Sequence, residues 1–388
     1  MNLTGGTDDG ATGDGTDHCG RSRTGPQLYH SPALPARLVE GWRELVTADP
    51  RGSWFMTPDW VLSWWQTLGS GAAAGAGLIA VWRGADGEVE AVVPLLRTAQ
   101  RLHPRAPLSV PCLTALGSGP GAADHCGFAV RAGCRAEVRD WLTERARGSS
   151  LWLPDLDPGQ RDLLPSRARA VAHGPCPRAD LTAGADALGS RQFRSTLRRY
   201  GRRLAAAGVT FRWVPPGSGD PALLDTVLRL HRLRRDALGR ATTFDRHRRP
   251  LHARLLERSA AGGPGHAPGH GHGPAFLVAE HDGEIVGALY GFRWGDTFSY
   301  YQIGWDPRWA ELRLGTAVIS ESIRACAEQG LRTFDFLRGT EPYKYRFGAV
   351  DRQDVSWLVP HGPGGALLGL RHRLLARRAA TGRSGTGA

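Results

Sequence analysis

The stretch FLVAEHDGEIVGALYGFRWGDTFSYYQIGWDPRWAELRLGTAVISESIRACAEQGLRTFDFL, Phe276 to Leu337, holds three β-rich runs, one helical run and a fourth β-rich run, in that order. Asp282-Gly283 and Gly295-Asp296 are turn residues that close tight hairpins, and Thr297 to Ile303 alternates as a strand, so the first three runs predict an antiparallel meander. In TAVISESIRACAEQG, Ile319, Ile323 and Cys326 recur at i, i+4, i+7 while Ser320, Glu321, Arg324 and Glu328 face away, which predicts an amphipathic helix stopped by Gly330. Leu331 to Leu337 then returns as a strand with Phe334 and Phe336 on one face. A strand, helix, strand sequence implies a right-handed crossover onto a parallel neighbour. The expected core of this half is therefore a mixed sheet, antiparallel first and then crossed over.

An earlier stretch echoes its start. LIAVWRGADGEVEAVVPLLR (Leu78 to Arg97) is again a β-rich run, an Asp86-Gly87 turn and a second β-rich run. Two such hairpins about 200 residues apart predict two lobes on one plan. The chain's 388 residues agree, because single cores seldom grow past roughly 250 residues. The expected layout is a disordered tail over 1–26, an N-terminal lobe over 27–185, a C-terminal lobe over 186–360 and a basic tail over 361–388. Ala260 to Pro274, rich in Gly, Pro and His, reads as a loop; its His266, His270 and His272 lack cysteine or carboxylate companions, and no metal is expected there. Trp54, Trp60, Trp64 and Trp65 fit a helix start, with the last three at core spacing.

Composition narrows the function. With 41% hydrophobic and 22% charged residues the chain is globular rather than fibrous or largely disordered. A net charge of +12 suits a polyanion or a phosphorylated ligand. Lys344 is the only lysine, so arginine supplies almost all of that charge. Such a bias weakens the case that Arg191–Arg203 or Arg229–Arg240 evolved for nucleic acid, and nucleic acid is an unlikely partner on this reading. The six cysteines form no CxxC pair, no apolar leader opens the chain and no run is long enough to span a membrane; a reducing, cytoplasmic setting is expected. His125-Cys126 and Ser118 are conceivable nucleophiles, but no GxSxG elbow supports a hydrolase.

A glycine at a helix start directly after a strand is an anion site, since the first helical N–H groups are unpaired and the helix dipole favours negative charge. Here it comprises Arg313, Leu314, Gly315 and Thr316. Downstream, Asp335, Phe336, Gly339, Glu341, Tyr343, Lys344, Phe347 and Gly348 fill without a gap a DF-x-x-G-x-E-x-YK-x-x-[WF]-G pattern.

That pattern, after a Gly-started helix, resembles the C-terminal signature of the GNAT-like acyltransferases known as cellulose-biosynthesis-type or FemAB-related acetyltransferases. SWFMTPDWVLSWWQTLG (Ser53 to Gly69) resembles the family's opening, so the likeness spans about 38–358. It implies an α/β (α+β) chain of two tandem GNAT-like lobes, each a mixed, mostly antiparallel sheet flanked by helices. It also implies one bound acetyl-CoA or other acyl-CoA as co-substrate, and a small-molecule amine as acceptor. The pantetheine arm would run beside Tyr301, Gln302 and Ile303, and the pyrophosphate would sit on Arg313 to Thr316. One position departs from the family, Leu312 standing where its loops carry Gln or Arg. Acyl transfer needs a base for the amine and an acid for the leaving thiolate. Glu341 is the expected base and Tyr343 the acid, with Lys344 binding an acidic acceptor and Asp335 orienting the amine. Asp335 and Glu341 would equally serve as structural ion-pair partners of Lys344 or Arg338. Two other readings stay open: a Fem-type transferase using aminoacyl-tRNA, and a non-catalytic GNAT-like scaffold.

Overall fold

The structure is a computed structural model describing residues 25–69, 76–103, 108–119, 123–239, 244, 246–261 and 271–381. The expected tail residues 1–24, His266 and His270 lie outside the described residues. The strands are β1 (Gln27–Tyr29), β2 (Gly77–Arg83), β3 (Val89–Arg101), β4 (Ser109–Ala115), β5 (Ala129–Val130), β6 (Ser150–Leu156), β7 (Arg169–Asp180), β8 (Thr210–Val214), β9 (Gly273–His281), β10 (Glu284–Trp294), β11 (Thr297–Trp305), β12 (Thr333–Asp335) and β13 (Val350–Val359). The α-helices are α1 (Ala36–Ala48), α2 (Pro58–Thr67), α3 (Arg135–Arg145), α4 (Arg191–Ala206), α5 (Pro221–Ala237), α6 (Arg249–Ala260), α7 (Leu314–Glu328), α8 (Pro342–Arg346) and α9 (Gly362–Thr381).

All described strands belong to one mixed sheet in the order β1-β2-β3-β4-β6-β13-β7-β12-β11-β10-β9-β8, with β5 beside β3. The meander β9-β10-β11 is antiparallel and α7 carries the chain over to β12, which lies parallel to β11. The N-terminal lobe repeats this plan: β2, β3 and β4 form the meander, and α3 leads to β6, parallel to β4. The fold is thus the expected mixed α/β arrangement of two GNAT-like lobes, with one addition. Their sheets are continuous, because β7 pairs with β12 and β13 lies antiparallel between β6 and β7. β13 falls in the segment expected to close the C-terminal lobe, yet its hydrogen bonds are made in the N-terminal sheet.

The two hairpin turns differ. At Asp282-Gly283 both residues have positive φ (49° and 78°), as the shortest hairpin needs; at Asp86-Gly87 only Gly87 does (84°), and Gly84 N donates to Glu88 O to close a longer loop. Two apolar layers cover the faces. One joins α1, α2, α5 and α6 and runs through both lobes, burying Trp60 and Trp65 and half-burying Trp64; the other packs α4 and α7 on the opposite face of β8 to β12. α9 buries Leu368 against Val110, Val171 and Leu358. No helix among the described residues is long and apolar enough to cross a membrane.

Candidate active site

The site begins with a defect in β11. Tyr290 faces Gln302 and Gly291 faces Tyr300, so Tyr301 is an extra residue, a β-bulge. Upstream of it, Phe298 and Tyr300 point toward α7; the bulge restores Ile303 to that face while Tyr301 turns to the other, among Phe55, Phe244, His252 and Phe292. Only Thr297 to Ser299 pair with β12. β12 ends there because Asp335 Oδ1 accepts the Leu337 N–H at 2.8 Å, holding Leu337 at φ 56° and turning the chain away. Beyond Ser299, β11 therefore parts from its parallel neighbour.

A cavity of about 270 Å³ lies in the gap. Ile303, Arg313, Gly315, Thr316 and Tyr343 line it, joined by Tyr300, Arg234, Trp305 and Arg346. α7 starts one residue before Gly315, with Arg313 as a left-handed N-cap (φ 61°), and the amides of Thr316 and Ala317 both donate to the Arg313 carbonyl. Gly315 has a packing reason too: a Cβ there would stand 2.5 Å from Trp305 Nε1. Leu314 is fully buried beneath the helix, and Leu312 ends a 3₁₀ turn with its side chain packed against the core. Burial pushes the Tyr343 phenol up to about 12, while Tyr300 hydrogen-bonds to it. It stays protonated at neutral pH.

Other expected site residues stand apart. Tyr301 faces the interlobe core, and Gln302 is half-buried outside the cavity lining. Glu341 is 56% exposed, 2.9 Å from Lys344. Lys344 itself is buried, its Nζ donating to the carbonyls of Leu337, Arg338 and Gly339 at 3.0–3.2 Å. An ammonium has three N–H groups, so this one is fully engaged in pinning the loop before α8.

Asp335 lies on the opposite face of the sheet from Tyr343, in a buried charge cluster that sequence reading did not assemble. Its Oδ2 is 2.6 Å from Arg178 Nε and 3.0 Å from His125 Nε2. His125 Nδ1 sits 2.7 Å from Asp354 Oδ2, an ion-pair contact without hydrogen-bond geometry. Burial disfavours the imidazolium, but Asp335 first and then Asp354 outweigh it and raise its pKa to about 9. Burial likewise disfavours the Asp335 carboxylate, yet His125 and Arg178 hold it well below the usual range. His125, Cys176 and Asp354 place their donor atoms within 4.8 Å of one another. Cys126 is buried among carboxylates that, after burial itself, push its thiol up, and the Ser118 hydroxyl donates to Ala115 O; neither has an activated-nucleophile geometry. Arg178 and Asp354 were missed, and His125 was named only beside Cys126 as a conceivable nucleophile; the three come from distant segments, and no local pattern joins them.

Residues 191–345 match the family model described as an acetyltransferase (GNAT) domain. No curated protein matches the sequence. Among solved structures the chain is similar to FemX, at 12% identity over 86% of this chain and 96% of that one, with a TM-score of 0.59. It is also similar to the C-terminal domain of a putative lysylphosphatidylglycerol synthetase from Agrobacterium fabrum (13%, 87% and 95%, 0.52). A third likeness is to a conserved protein of unknown function from Bacteroides thetaiotaomicron (14%, 81% and 95%, 0.51). At such identities the shared property is the fold. Residues 191–345 thus resemble a GNAT acetyltransferase domain, within a two-lobed fold similar to that of FemX over most of the chain's length.

Proposed function

We propose that the protein moves an acetyl or related acyl group from acyl-CoA to an amine. The observation that carries this reading is the cavity at the parted strands, where Ile303, Arg313, Gly315, Thr316 and Tyr343 meet although they come from a strand, a helix start and a second helix. The pantetheine arm lies along β11 beyond its bulge. The pyrophosphate sits at the start of α7 among Arg234, Arg313 and Arg346, where charge and helix dipole favour an anion. The amine nitrogen attacks the thioester carbonyl carbon, the C–S bond breaks, and the Tyr343 hydroxyl gives its proton to the leaving thiolate. Glu341, exposed at the edge of α8, takes the ammonium proton through water. We assign Lys344 and Asp335 positioning roles: the first holds the 337–339 loop, the second ends β12. The five described cysteines are free and buried, which suits a reducing compartment, and we place the protein in the cytoplasm.

A second reading keeps the fold and changes the donor to an aminoacyl-tRNA. α4 favours it, with six arginines in RQFRSTLRRYGRRLAA and no acid. Calorimetric titration with acetyl-CoA separates the two: saturable binding supports the first, and no binding of any acyl-CoA moves the assignment to the second. Once an acceptor is in hand, Tyr343→Phe should lower kcat on the order of a hundredfold with an unchanged Kd for acetyl-CoA. An unchanged kcat would remove Tyr343 as the acid.

A further inference from the structure

A second cavity, about 170 Å³, opens between the lobes. It reaches β11 through Thr297 and Ser299, which alternate with Phe298 and Tyr300 and so lie on the face opposite the donor cavity. Its polar wall is Arg51, His125, Asp157, Arg178, Ser299 and Arg352. Each arginine is held from behind by one hydrogen bond: Arg178 Nε by Asp335 at 2.6 Å, Arg51 Nη1 by the Gly159 carbonyl at 3.0 Å, and Arg352 Nη2 by Asp157. A guanidinium carries five N–H groups, so these bonds fix the three forks and leave most of their donors uncommitted. Asp157, the one carboxylate in the wall, is spent on Arg352 and, through Oδ1, on the Gly159 amide at 2.8 Å. Trp54, 2% exposed and part of the same wall, has an indole N–H with no hydrogen-bond partner. Donors thus exceed acceptors around a space of small-molecule size, at the lobe junction where ligand pockets are favoured.

We propose that this interlobe cavity binds the oxyanion of a small acid, a carboxylate or a phosphate group, on the preorganised guanidinium groups of Arg51, Arg178 and Arg352. The inference goes beyond the donor assignment and does not depend on it, since the residues belong to a separate cavity on the other face of the sheet. Arg178 ties the bound anion to Asp335 and His125, so occupancy bears on the same contacts that join the lobes.

The test is calorimetric titration of the full chain with inorganic phosphate and, separately, with succinate, without acyl-CoA. One of the two should bind saturably near one per chain, phosphate if the ligand is phosphorylated and succinate if it is a carboxylic acid. Arg51→Gln, at a 44% exposed side chain, should weaken that binding about tenfold or more with the melting temperature unchanged, and Arg51→Lys should retain most of it. Arg313→Gln, in the donor cavity, should leave it unaltered. Failure of both anions to bind would overturn the proposal. So would a loss in Arg313→Gln with none in Arg51→Gln, which would put the anion in the donor cavity. Acetyl-CoA binding, titrated separately, decides the acyl-transfer reading whichever way the anions behave.

Discussion

The two lobes build the same crossover and treat its cleft in opposite ways. In the C-terminal lobe β11 and β12 pair over three residues, and the space beyond stays open as the cavity we propose for the acyl donor. In the N-terminal lobe β4 and β6 also pair over three residues, from Cys112–Ser150 to Thr114–Trp152, but the far end of β6 is taken. Cys126 bridges Leu156 in parallel, its N–H donating to Asp155 O at 2.8 Å and its carbonyl accepting from Asp157 N at 3.4 Å. The difference lies in the connection to the helix. Residues 306–313 join β11 to α7, whereas 116–134 join β4 to α3, enough chain to fold back and fill the gap. The filled cleft gains a structural use, because the returning chain holds His125 at φ 49° against β12 and β13.

The sharpest way to break this comparison is stoichiometry. Acetyl-CoA should bind at one per chain, and Thr316→Glu, which sets a carboxylate at the start of α7, should weaken binding a hundredfold or more through repulsion of the pyrophosphate. A stoichiometry of two would mean that the N-terminal cleft is not closed to ligand. Thr316 is preferable to Gly315 for this variant, since any side chain at 315 first collides with Trp305.

The next largest effect is expected where the filled cleft meets the other lobe. Asp335→Ala leaves His125 and Arg178 without their shared carboxylate in a fully buried position, and removing one partner of a buried pair costs about 3–5 kcal/mol. A denaturant midpoint within error of wild type would show that the cluster does not hold the lobes together.

A pH series sharpens the same point. The folded His125 pKa is raised from 6.5 to about 9, so its contribution is fully present below 6.5 and fades as pH climbs through 9; over that window stability should fall by on the order of 3 kcal/mol. Asp335, held low in the fold, acts the other way: its contribution is present above its unfolded pKa and is lost only as pH drops through the folded value. The fold should therefore be steadiest between these limits, and His125→Gln should flatten the alkaline side of the profile. A profile of the variant that still falls as steeply from pH 7 to 9 would assign the loss to another group.

What sequence revealed follows the same division between local and distant. The meander, the α7 pattern ended by Gly330 and the turn at Asp282-Gly283 are legible because each depends on neighbours a few residues apart. The motif residues were legible as a string, yet not in their directions: Tyr343 lines the cavity at the parted strands while Lys344, the next residue, points its ammonium at three carbonyls. Tyr301 was expected on the cofactor, and a single bulged residue turns it to the other face. β13 between β6 and β7, and the cluster of His125, Arg178, Asp335 and Asp354, join segments far apart along the chain, and such pairings leave no periodicity to read.

The smallest expected effect asks whether the plug in the N-terminal cleft is held by its own bonds or only by surrounding packing. Gln160, 2% exposed, clasps the plug: its Oε1 accepts from Phe128 N and its Nε2 donates to Phe128 O, both at 2.9 Å. Gln160→Leu keeps the apolar volume and leaves a buried amide and carbonyl of Phe128 without partners, a loss of about 1–3 kcal/mol. If the plug also positions His125, the variant should lose part of the alkaline pH dependence as well, since a shifted imidazole no longer meets Asp335 at 3.0 Å. Acetyl-CoA should still bind at one per chain, because a leucine at 160 keeps the volume packed against the plug and opens no cleft. Full retention of both stability and pH profile would show that packing by Phe128 and its neighbours fixes the loop, and that the reciprocal bonds to Gln160 are incidental to the closure of this lobe.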